Sequence, residues 1–211
     1  MNRTTVANRL RFTPLALTTV LLSAGLLSLS VTGTLSGFTA AITNSVNSAA
    51  TGTLVMQEQN AGGTVTCTSV DGSGITTNSA TCSTINKFGG STTMVPGTPV
   101  STTISIRNTG TLNASTFTLT PGTTCTQTAI ATPSGTATDL CAKMALVVKQ
   151  DGAQVYSGTL TAFAGSAAKS LTTVAAGASS TFTFAVTLDS AATNAYQGLQ
   201  ASVPMTWTFN S

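Results

Sequence analysis

The sequence has no histidine and little charge: 6% of its 211 residues are Asp, Glu, Lys or Arg. Without an imidazole there is no Ser-His-Asp triad, no histidine general base and no His ligand for a catalytic zinc. Its acids are Glu58, Asp71, Asp139, Asp151 and Asp189. They are scattered along the chain, and Asp71 and Asp151 precede glycine in turn-like settings. They read as turn or surface acids rather than the paired carboxylates of a glycosidase. The sequence contains no phosphate loop, no dinucleotide glycine fingerprint and no D-x-D calcium run. Aromatics are scarce at 5%, and the single tryptophan, Trp207, falls in phase with Met205 and Phe209, which is the phase of a core side chain. Tyr156 and Tyr196 stay open between packing and sugar stacking. No catalytic residue, cofactor or metal is expected, so the chain reads as a non-enzyme.

Charge is also unevenly placed. Arg3, Arg9 and Arg11 open the chain, an uncharged apolar run extends from Phe12 to Val31, and small residues surround Thr32, Gly33 and Thr34. Basic, then apolar, then small is the order of a secretory signal peptide. We assign residues 1–34 to it, with cleavage near Thr34 or Ser36. The run is nearly long enough for a membrane anchor, but Pro14 and the interspersed Ser and Thr speak against one, so membrane contact is expected only through the signal before cleavage. The chain beyond residue 34 carries Lys87, Arg107, Lys143, Lys149 and Lys169 against the five acids. This mature chain is therefore neutral, and a nucleic-acid partner, which needs clustered Lys and Arg, is excluded.

About 177 residues remain after residue 34, enough for one domain, 35–211, with a substantial core. Four cysteines occur, Cys67, Cys82, Cys125 and Cys141. In an exported chain they are expected as disulfides, and three pairings are possible. Cys67 with Cys82 and Cys125 with Cys141 is favoured, because each pair brackets a short Gly-, Ser- and Thr-rich stretch. A four-cysteine zinc site would need pairs two to four residues apart, and there are none.

Period-two alternation dominates the mature sequence. It runs through Phe38, Ala40, Ile42, Asn44 and Val46. It recurs at Val100, Thr102, Ile104 and Ile106, then at Phe117 and Leu119 beyond the turn Asn108-Thr109-Gly110. Leu140, Ala142, Met144, Leu146 and Val148 lead into the hairpin dipeptide Asp151-Gly152 and a return strand from Gln154 to Leu160. Phe182 to Leu188 and Leu199 to Phe209 complete the set, with Pro204 marking the last as an edge strand or a bulged one. Short helices have room only near Ser190–Ala195 or Gly165–Lys169. Alternating strands between turn residues predict an all-β, antiparallel, jelly-roll-like sandwich preceded by a helical signal peptide.

In order along the chain, Gly37-Phe38-Thr39-Ala40, Asn47, Gly52-Thr53-Leu54, Pro96-Gly97, Asn108-Thr109-Gly110, Asp151-Gly152, Tyr156-Ser157-Gly158-Thr159-Leu160 and Asn194-Ala195-Tyr196-Gln197-Gly198 resemble the TasA and camelysin (CalY) family of bacterial secreted proteins. The sequence departs from that pattern at Thr98, where an acid is common, in its ending Asn210-Ser211, and in its four cysteines. The resemblance implies processing by a SipW-type signal peptidase, a jelly-roll domain, location at the cell surface or in a biofilm matrix, and assembly into fibres. Residues 36–47, an alternating strand freed by cleavage, are expected to complete the sheet of a neighbouring copy, with Phe38, Ile42 and Val46 as anchors. The alternatives are a monomeric surface adhesin, with the strand folded back into its own sheet, and a camelysin-like metalloendopeptidase, which the missing histidines oppose.

Overall fold

The computed structural model describes residues 41–44, 46–72 and 74–211. The expected signal peptide, its cleavage point and Phe38 lie outside these residues. The chain divides into two compact units, Met1–Ala49 and Ala50–Ser211. In the first, the described residues 41–44 and 46–49 carry no helix or strand, so the alternation of this segment joins no ladder among them. Ile42 and Val46 stand 93% and 83% exposed.

The second unit is an antiparallel β-sandwich. Its wide sheet contains six strands in the order β2-β1-β3-β9-β6-β7. These are β1 (Met56–Asn60), β2 (Thr66–Thr68), β3 (Pro99–Asn108), β6 (Met144–Gln150), β7 (Ala153–Thr159) and β9 (Ser179–Leu188). The facing layer is narrower. β4 (Thr116–Pro121) pairs on one side with β8 (Lys169–Ser170) and on the other with β11 (Met205–Asn210), and β5 (Thr126–Ala129) pairs with β10 (Leu199–Ser202). The Gly122 N–H donates to the Pro204 carbonyl at 2.7 Å, so the two pairs run on as one bent ribbon. From β3 onward the chain crosses repeatedly between the layers, which makes the sandwich jelly-roll-like.

The alternating sequences place their apolar phases inward. Ile104 and Ile106 of β3, Leu146 and Val148 of β6, and Phe182, Phe184 and Val186 of β9 are all buried. From the narrow layer, Phe117 and Leu119 meet them. Phe117 lies edge-on to Phe182 at 5.7 Å between ring centroids, and Trp207 sits 4.6 Å from Phe182. Both cysteine pairs form as expected, Cys67–Cys82 and Cys125–Cys141, at sequence separations of 15 and 16. Loops of that size contribute about 3 kcal/mol each in chain-entropy models, and such bonds persist in oxidising compartments. Among the described residues, no helix is long and apolar enough to cross a membrane.

Several local expectations change. Leu140–Lys143 forms a helical turn, α2, rather than the start of β6, with the Leu140 N–H donating to Gln127 Oε1. Leu160 closes no strand. It begins a second turn, α3 (Leu160–Phe163), capped by Thr159 Oγ1 accepting from the Ala162 N–H at 3.1 Å. Another turn, α1 (Gly74–Thr77), comes after β2. Gly165–Lys169 carries no helix, and the stretch near Ser190–Ala195 yields only a 3₁₀ turn, Asn194–Tyr196. The last alternating run breaks at Val203–Pro204 into β10 and β11, because proline supplies no ladder donor.

Turn chemistry fixes the ends. Asp151 and Gly152 both have positive φ, 47° and 86°, as a tight β6–β7 hairpin requires. Asp151 also accepts from the Thr181 N–H and Ser180 hydroxyl, each at 2.7 Å. Gly110 is held to glycine by proximity, since a Cβ there would lie 2.3 Å from the Thr53 carbonyl oxygen.

This packing carries two stability predictions. Phe182→Ala removes the ring that joins the layers and should cost about 3–5 kcal/mol in chemical denaturation. The Asp189 carboxyl is held below its ordinary value, first by the Ala191 N–H and then by Lys143. A depressed folded-state pKa adds stability above the unfolded value and loses it as pH falls, so Asp189→Asn should flatten the loss of stability below about pH 4.

Candidate functional site

A strand at a sheet border leaves half its main-chain groups without a ladder partner. In β11 their direction can be read from its one neighbour. The Pro204 and Asn210 carbonyls accept from Gly122 and Ser115 on the β4 side, both at 2.7 Å. Main-chain groups of successive residues point to opposite sides of a strand, so those of Met205, Trp207 and Phe209 face away from β4. Likewise the Gly198 carbonyl accepts from Ile130 at 2.8 Å, which turns Leu199 and Ala201 of β10 away from β5. No described strand pairs with this side.

The edge is not open to solvent along a flat border. Two cavities, of about 670 and 550 Å³, lie against it. The first is lined by β11 with Met56 and Glu58 of β1 and by the Cys67–Cys82 bond. The second is lined by β10 with Met94, Leu140, Met144 and Leu188. Asn86, Phe88 and Ser202 belong to both, so they join into a trough along Leu199–Asn210. One wall is the stretch 78–98, which has no helix or strand. Irregular stretches of that length within a compact domain are usually functional. This one is held by the Cys67–Cys82 disulfide, by buried Ile85, and by Lys87, whose Nζ lies 2.6 Å from Glu58 Oε1.

Two residues that line the first cavity carry a buried side-chain atom with no aligned hydrogen bond among the described residues. These atoms are Trp207 Nε1 and Glu58 Oε1. Glu58 Oε1 is paired with the Lys87 ammonium 2.6 Å away. A buried donor left unmade costs about 1–3 kcal/mol, which leaves the Trp207 indole N–H as the uncompensated one of the two. Sequence reading misses Glu58. Its expected place is a turn or the surface, and it is instead buried in a strand, β1, whose sequence MQEQN shows no apolar alternation. Trp207 does pack in the core, on Phe182, Phe184 and Phe117.

The other singled-out groups have structural partners. Tyr156 stacks on Phe163 at 4.8 Å and donates to the Thr159 carbonyl, and burial raises its pKa. Tyr196 donates to Asp139 Oδ1 at 2.8 Å, and that carboxylate raises its pKa. Asp71 accepts from the Thr68 hydroxyl and N–H, which lower its pKa. Among the described residues, no group of three His, Cys, Asp or Glu side chains is placed to hold a metal ion. No protein-family model matches the chain, and no curated protein matches it.

The edge geometry predicts an alternating pattern of amide hydrogen exchange in the isolated protein. Met205, Trp207 and Phe209 should exchange faster than Thr206 and Thr208, whose N–H groups face β4. Uniform protection along β11 would show that its outer side is already paired.

Proposed function

We propose that the chain is a secreted structural subunit of the cell surface or extracellular matrix, polymerising by strand donation between copies. The observation that carries this reading is the β10–β11 edge, which no other described strand pairs and which lies against two cavities. An edge of this kind recruits a strand, whose main-chain bonds supply affinity and whose alternate side chains fill pockets. Segment 36–47 of a neighbouring copy suits it. It has as many residues as Leu199–Asn210, and both would span about 40 Å when extended. Its anchors Ile42 and Val46 are exposed in a single chain. Burying each apolar anchor is worth about 1.5–3 kcal/mol. In this reading a SipW-type signal peptidase frees the donor, and the chain stays bound to the membrane only until that cut. The two disulfides suit an oxidising exterior, and the histidine-free sequence supports a structural rather than an enzymatic role.

Electron microscopy of the mature protein with and without residues 35–47 tests the proposal. Fibres are expected from the first form and isolated particles from the second. Fibres that survive the deletion would eliminate strand donation, and saturable ligand binding by a persistent monomer would favour an adhesin.

A further inference from the structure

Every methionine beyond Met1 lines the trough. The sequence has five, and Met1 falls in the expected signal peptide. Met56 and Met205 belong to the first cavity, Met94 and Met144 to the second. They come from four separate parts of the chain, namely the starts of β1, β11 and β6 and the irregular wall 78–98. Met56, Met94 and Met205 are half-buried, whereas Met144 is buried at 7% exposure. Both cysteine pairs are disulfides, and the described residues include no free cysteine, so the thioethers are the readily oxidised sulfur.

An unbranched thioether moulds itself to whatever apolar side chain is set against it, which suits a groove filled by anchors of unequal size. Oxidation reverses that property, because a sulfoxide is polar and carries an oxygen that needs a hydrogen-bond donor. In an empty trough water serves that oxygen. Under a seated strand it would meet apolar anchors, which offer no donor.

Resting on the strand-donation reading, we propose that Met56, Met94 and Met205 are oxidative modification sites that switch the trough off. The oxidant is a peroxide. The sulfur attacks one peroxide oxygen, an S–O bond forms as the O–O bond breaks, and with hydrogen peroxide the second oxygen leaves as water. Sulfur is oxidised by two electrons and the peroxide is reduced. The switch acts on free subunits, since a seated donor covers the same three sulfurs. A methionine sulfoxide reductase supplied with a thiol reductant reverses it.

The test treats the mature protein with hydrogen peroxide, reading the sites by peptide mass spectrometry and assembly by sedimentation. In unassembled protein Met56, Met94 and Met205 should each gain one oxygen ahead of Met144, and in fibres the same three should be protected. Oxidation should raise the critical concentration at least about tenfold, the scale of one buried polar group left unpaired, and reductase treatment should restore it. Combining Met56→Leu, Met94→Leu and Met205→Leu keeps apolar volume, and that protein should assemble alike with and without peroxide. Near-ultraviolet circular dichroism of the oxidised, unassembled protein should match the untreated form, and a lost signal would overturn the trough as the place where oxidation acts. If the triple variant folds poorly, protection in wild-type fibres and reversal by the reductase carry the test.

Oxidised protein that assembles at the untreated concentration, or a folded triple variant that peroxide inhibits as strongly as wild type, would overturn the switch while leaving strand donation standing. Fibres whose three methionines oxidise as fast as those of free subunits, or a protein that never polymerises, would remove both.

Discussion

The contact of Phe117 and Trp207 with Phe182 is what the rest of the structure depends on. Phe182 stands on β9, a central strand of the six-stranded sheet, and the other two rings come from a facing layer only three strands wide at that point. Aromatic rings bury large apolar areas and hold defined centroid distances, so this cluster fixes where the narrow layer sits on the wide one. Coverage then ends at β11. β1 and β2 extend the wide sheet on that flank, and across from them the narrow layer has no further described strand. The trough is a consequence of layer width.

Stretch 78–98 walls the gap without filling it. A coil cannot continue a ladder, but it can be anchored where side chains permit. The Cys67–Cys82 bond and the Lys87–Glu58 pair attach it to the β1–β2 side, and Ile85 is buried in the core. Each anchor leaves the β11 border alone. The pair also accounts for a carboxylate in the middle of a buried strand, since an unpaired buried charge is among the costliest features a fold can hold.

Much of the fold was legible because its central strands obey the two-residue period strictly. β3, β4, β6 and β9 each contain a run whose phase matches the observed burial, and Asp151-Gly152 announced its hairpin. Both disulfides agree with sequence proximity. The strands that escaped notice are β1, β2, β5 and β8. They are short or polar, and their place is decided by pairing partners rather than by their own pattern. The helical turns at Leu140 and Leu160 escaped for a related reason. Each continues an apolar alternation in sequence, and tertiary contacts, Gln127 to Leu140 and the Thr159 cap, override it. The trough was illegible altogether, because a vacant edge is a property of two sheets and leaves no trace in any one segment. Pro204 was the nearest signal: it marked its strand as an edge strand or a bulged one, and β11 lies at a sheet border.

Neutrality sharpens what such an edge means in the proposed assembly of the chain with itself. Beyond residue 34, five basic residues face five acids, so copies meet with little mutual repulsion and little electrostatic steering. Non-directional attraction of that kind would favour amorphous aggregation. A ladder is directional, because its bonds form only where N–H and C=O groups alternate in register. In the proposed assembly the β10–β11 edge, recessed beside a walled trough, admits one extended segment and excludes the broad face of another domain. In the proposed assembly, charge therefore permits contact and the β10–β11 edge selects it.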